Sequence, residues 1–213
     1  MPNSYIKDPH KIEQESFNRI RELSDLVGFS EDQAQIAMRL IHTCGEPGIS
    51  SAIKISESAV ASGIAAIENN AAVLCDVEMV RHGLTKRFLN QEVMCFLNDE
   101  RVPQLASEQG ETRTMAALRF WEPHVGGSIV LIGNAPTALF RLMEMIENGS
   151  AKPALIIGIP VGFVGAAESK EALIDFSQQY SIPYITVTGF VGGSAMTAAA
   201  FNALLRLHRD IRF

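Results

Sequence analysis

The sequence predicts an α/β fold: one domain, a mainly parallel sheet with helices on both faces, and an N-terminal helical segment. Three observations carry that reading. From Gly126 onward a strand, a glycine-rich loop and a helix follow one another three times. The strands of these units are apolar without alternation, which marks strands buried on both faces. The region before them is dominated by apolar residues at helical spacing. There is no low-complexity stretch or linker, so residues 1–213 are expected to form a single domain.

Taken in order, Asp8-Pro9 predicts the N-cap and first position of a helix with Ile12, Phe17, Ile20 and Leu23 as its stripe and Gly28 as its close. Ser16 lies mid-helix, where a serine usually faces solvent or bonds back to the preceding turn. A second helix starts at Ser30, with Gln33 completing a capping box. It runs through Ile36, Ala37, Leu40 and Ile41 and stops at Gly45 and Pro47. A third spans 57–69, with Val60, Ile64 and Ile67 on one face. Residues 71–75 and 93–97 read as short strands, with Asp76 and a charged segment containing Glu78, Arg81 and His82 after the first. Residues 98–111 are polar and turn-rich and read as a surface excursion, and 112–120 as a helix with Arg113 in its first turn. The three repeats follow. Residues 128–132 meet Gly133-Asn134-Ala135-Pro136, 154–157 meet Gly158, Pro160, Gly162 and Gly165, and 184–187 meet Gly189, Gly192 and Gly193. Their loops share one edge of the sheet, the edge where open α/β folds place ligands.

Composition excludes several functions. Of 213 residues, 47% are hydrophobic and 20% charged, and the net charge of −6 with no basic tail argues against nucleic acid as a partner. The polar start MPNSYIKDPHKIEQ has no signal-like apolar stretch, and the longest apolar runs are broken by glycine and proline. A cytoplasmic chain without membrane spans is expected. Cys44, Cys75 and Cys95 lack CxxC or Cys/His ligand spacing and read as reduced thiols, Cys44 as a packing residue despite its nearness to His42.

The segment 35–48, QIAMRLIHTCGEPG, carries the candidate chemistry. Arg39 and His42 are three apart and share a helical face. The helix dipole favours a protonated imidazole at this end and a guanidinium opposes it, so His42 is a candidate proton donor and acceptor. A lone histidine in the last helical turn is more often a simple C-cap than a catalyst. The glycine loops resemble anion cradles, but none ends in GK[ST]. Residues 158–165, GIPVGFVG, depart from GxGxxG, and no acidic residue ends a following strand at the expected distance. HExxH, GxSxG and metal-ligand clusters are absent from the sequence.

Several ordered segments resemble one family over essentially the whole chain. They are Ser16 in IEQESFNRI, RLIHTCG at 39–45, VLCDVEMVRHGL at 73–84, TRTMAAL at 112–118, VLIGNAPTAL at 130–139, GIPVGFVGAAESKEAL at 158–173 and TGFVGGSAMTAAAFNAL at 188–204. This pattern is similar to the precorrin-8X methylmutases of cobalamin biosynthesis. The resemblance implies an isomerase acting as a homodimer on a tetrapyrrole rich in carboxylates, with or without cobalt, and moving a methyl group from C-11 to C-12. It implies His42 as the catalytic residue and Ser16, Arg39 and Arg113 as substrate contacts. No cofactor or protein-bound metal is expected, since an intramolecular shift needs neither, and protonation of the conjugated ring is the minimum assistance. Glycine-loop amides and apolar residues such as Val161 and Phe163 are expected around the macrocycle, with residues 158–165 and 195–201 as walls that bury its broad faces in a pocket shared by two chains. A non-catalytic tetrapyrrole carrier and a nucleotide- or sugar-phosphate-binding α/β enzyme remain as alternatives.

Overall fold

The computed structural model describes residues 5–213, so the first four residues of the polar N-terminal segment lie outside it. Six strands form one sheet: β1 (Ile53–Ile55), β2 (Val73–Cys75), β3 (Val93–Met94), β4 (Ile129–Ile132), β5 (Leu155–Gly158) and β6 (Tyr184–Val187). Their order is β1-β6-β5-β4-β2-β3, parallel except for β1, which runs antiparallel to β6 with Ile53 opposite Val187.

Nine α-helices surround the sheet among the described residues. In chain order they are α1 (Pro9–Leu23), α2 (Glu31–Cys44), α3 (Ala59–Glu68), α4 (Glu78–His82), α5 (Val102–Gln109), α6 (Arg113–Leu118), α7 (Pro136–Glu147), α8 (Ala166–Tyr180) and α9 (Ser194–Leu207). Alternate strand residues feed two cores. Val73, Ile129, Leu131, Leu155 and Ile157 pack with residues of α1, α2, α3 and α9. Leu74, Val130, Ile132 and Ile156 pack on the other face with α6, α7 and α8. Apolar runs without alternation arise because each strand must satisfy both layers.

The α2 caps follow the sequence reading. Ser30 and Gln33 exchange the two capping-box bonds, and Gly45 takes the left-handed conformation at φ 72°. Other expectations need correction. The first helix ends at Leu23, with Ser24 as its C-cap rather than Gly28. The strand at 93–97 shrinks to two residues. The excursion at 98–111 contains α5, which buries Val102 and Ala106 against Ala116 and Ala117 of α6 and closes at Gly110 in the left-handed region. Its apolar stripe is short and its surface polar, so a loop-like composition hid a helix. β1 was not anticipated; three residues give too little pattern to read, and its pairing comes from β6.

Candidate active site

Phe17 on α1 is the centre of the site. It is 1% exposed, and its ring lies under His42 at a centroid distance of 5.2 Å with planes 20° apart. The Arg39 guanidinium stands 5.0 Å from the same ring. α2 sets this pairing, because residues three apart present neighbouring side chains. His42 is exposed, Ser16 half-buried, and both line a hollow of about 260 Å³ with Arg19, Ile41 and Pro47. The structure therefore brings Ser16, Arg39 and His42 together.

A second hollow, about 280 Å³, adjoins on the other side of Arg39. Arg39, Thr43, Arg87, Asn202 and Arg206 are on its walls, with Glu13. Glu13 accepts from Arg39 at 3.4 Å and pairs with Arg206 at the same distance. The C-terminal Phe213 folds back here. Its amide donates to Gln35 at 2.8 Å, and its carbonyl oxygen accepts from Arg21. Its ring stacks on Phe17 at 3.6 Å, under Arg39 at 4.3 Å and Arg206 at 4.5 Å.

His42 keeps solvent access, yet partial desolvation of its ring, and then the charge of Arg39, holds its pKa below the ordinary histidine value; Glu13 pulls the other way. Desolvation and the guanidinium both disfavour the imidazolium, so the free protein carries a neutral imidazole at neutral pH. Burial and the neighbouring Arg206 likewise lower Arg39.

Arg113 stands apart. Its guanidinium donates to the Leu97 carbonyl at 3.1 Å, and its helix α6 packs on the sheet face opposite to α1, α2 and α9. The glycine loops also differ from expectation. The amides of Gly133, Asn134 and Ala135 are already taken by the buried Asp76 carboxylate at 3.0, 2.8 and 3.0 Å. That cradle is filled from within, although burial pushes the Asp76 pKa up while the amides pull it down. The loops after β5 and β6 lock together through Gly193 N–H to Ile159 O at 2.8 Å, and the buried Lys170 ammonium donates to Val191 O at 2.8 Å. They expose Val161, Phe163, Val164, Phe190 and Val191, with Phe163 at 86% and Val164 at 90%. Residues 195–201, expected to wall the macrocycle, are buried in their own core apart from Ala195.

Sequence reasoning missed Glu13, Phe17 as more than core, Arg87, Arg206 and Phe213. Only Arg206, one helical turn after Asn202 on a polar edge of α9, left a periodic signal. The three cysteines are free, and burial raises the pKa of Cys75 and, to about 11, that of Cys95, which disfavours reactive thiolates there. Among the described residues no helix is long and apolar enough to cross a membrane.

Solved structures supply the class. The fold superposes on a precorrin-8x methyl mutase from Thermus thermophilus with a TM-score of 0.84 and 35% identity, over 94% of this chain and 97% of that one. A precorrin-8X methylmutase related protein gives 0.80 and 36%, over 90% and 99%. The class is thus an α/β isomerase of the methylmutase type. The chain belongs to the precorrin-8X methylmutase family, whose model matches residues 11–207. A precorrin-8X methylmutase from Sinorhizobium sp. is 50% identical over 204 residues, 95% of this chain and 96% of that protein. A cobalt-precorrin-8 methylmutase from Priestia megaterium is 38% identical, over 92% and 87%.

Proposed function

We propose that the chain moves the methyl group of precorrin-8X, or of its cobalt counterpart, from C-11 to C-12 of the macrocycle. His42 donates a proton to the conjugated system, which becomes electron-deficient. The C-11–methyl bond then breaks as the C-12–methyl bond forms, and the proton returns to His42, so substrate and product are isomers. Ser16 and Arg39 contact the substrate beside it. A carboxylate-rich ligand would raise the His42 pKa on arrival and so protonate it where it is needed.

One observation carries this reading: Arg39 and His42 meet on the buried Phe17 ring, Ser16 lines a hollow with His42, and Arg39 lines a second hollow rich in guanidinium. The filled cradle at Gly133–Ala135 weighs against phosphate binding at that junction. A carrier would need the arginines but not His42. The test is single-turnover conversion by His42→Ala, followed by visible absorption. Lost turnover with retained binding supports the enzyme; near wild-type turnover ends the general-acid role.

We further propose a cytoplasmic homodimer. Each hollow falls below the ~300–1,000 Å³ typical of pockets for drug-sized ligands, so walls from two chains suit a macrocycle better than one. The exposed rim at Val161–Val164 and Phe190–Val191 offers apolar surface for association. Arg113, on the opposite layer, then serves the pocket of the partner chain. Light scattering across a dilution series should give twice the chain mass; a fully active monomer at every concentration rules out the shared pocket.

A further inference from the structure

The hollow between α1, α2, the turn after α4 and α9 has an unbalanced charge. Three guanidiniums, Arg39, Arg87 and Arg206, face the single carboxylate of Glu13, in a chain whose overall charge is −6. The side chains of Arg39 and Arg206 are only 18% and 16% exposed. Their Nε groups are buried without a hydrogen-bond partner, and Glu13 reaches each at a long 3.4 Å. Guanidiniums so placed are strong donors left short of acceptors. The Phe213 ring beneath both holds them in position, and Thr43, Thr85 and Asn202 add neutral polar groups to the wall.

We infer that Arg206 and Arg87, together with Arg39, form a subsite for a carboxylate-bearing arm of the substrate. The hollow's volume of about 280 Å³ suits an arm and not a macrocyclic plane. An incoming carboxylate satisfies donors that Glu13 alone does not, and fixes the ring plane relative to His42. Arg206 binds substrate here without taking part in proton transfer. The substrate assignment rests on the function proposed above; the anion chemistry of the hollow stands on its own geometry.

Two probes keep these apart. Wild type, Arg206→Gln and Arg87→Gln are each titrated with hydrogenobyrinate by visible absorption. Each is also titrated with propane-1,2,3-tricarboxylate by thermal unfolding, against sodium chloride at equal ionic strength. Circular dichroism checks the fold. Arg87 is exposed and stacks only on Phe88, so its variant decides the matter if Arg206→Gln does not fold. The expected result is about a tenfold or greater loss of affinity for both probes in Arg206→Gln and a severalfold loss in Arg87→Gln. Tricarboxylate binding that depends on these arginines, with no corrinoid binding by wild type, upholds the subsite and removes the proposed function. Folded variants that bind both probes as wild type does overturn the subsite.

Discussion

His42 lies over the ring of Phe17, 5.2 Å between centroids and 20° from parallel. Stacking on a fully buried ring fixes the imidazole plane against a rigid floor. A histidine on an exposed helix end is otherwise free to turn. Replacing Phe17 with Ala should cost about 3–5 kcal/mol of stability by cavity formation. Denaturant unfolding measures it, and a cost under 1 kcal/mol would show that the ring carries no packing load.

The lowered His42 pKa sets a pH dependence. In the free protein the protonated form is disfavoured by burial and by Arg39, so kcat/KM should fall as pH rises through a value below 6.5. Substrate carboxylates favour the imidazolium, so the same limb in kcat should lie at higher pH. For stability the sign is the reverse of an ion-paired histidine. The unfolded chain binds the proton more readily, so the His42 contribution is complete above about pH 6.5 and declines as pH falls through the folded value. Coincident limbs in kcat and kcat/KM would show that ligand charge does not act on His42.

Arg39 and Arg113 lie on opposite sheet faces, yet both are proposed to touch substrate. Either change to Ala should weaken hydrogenobyrinate binding by about 1.5–3 kcal/mol. At substrate levels where each single variant turns over poorly, mixing the two should restore part of the activity, since a mixed dimer assembles one intact pocket. Absence of any restoration, with dimers confirmed by light scattering, argues that each chain uses its own Arg113.

Lys170 is buried, and its ammonium is anchored to the Val191 carbonyl, so it ties α8 to the loop after β6. Burial lowers its pKa to about 8 from an ordinary 10.5. Between those values the unfolded chain holds more protons, so this residue makes stability rise with pH from about 8 to 10.5. Chemical denaturation of wild type and Lys170→Met across that range should show a smaller rise in the variant. Parallel curves would mean that Lys170 titrates as it does in the unfolded chain.

Gly192 has no room for a side chain. A Cβ there would stand 2.5 Å from Ile159 O and 2.6 Å from Pro160 O, both backbone atoms. Gly192→Ala should destabilise by about 1–3 kcal/mol and shift the apolar rim. The midpoint of denaturant unfolding checks the first, and the dimer dissociation constant the second. An unchanged midpoint would mean the two loops separate easily.

The sequence by itself determined the order of the longer helices and of the three strand–loop–helix units, the α2 caps, the buried parallel strands and the place of His42 at a helix end. These are local features, written in spacings of two to four residues and in single cap positions. Short elements such as β1 and α5 escaped because so few residues carry no secure period. Tertiary structure alone decided what surrounds His42. Phe213 reaches Gln35 across 178 positions, and Asp76 reaches Gly133 across 57. It also put Arg113 on the far layer and gathered Arg39, Arg206 and Glu13 from three helices. No local pattern encodes such meetings, because they arise where helices pack on a sheet and side chains distant in sequence come to share one volume.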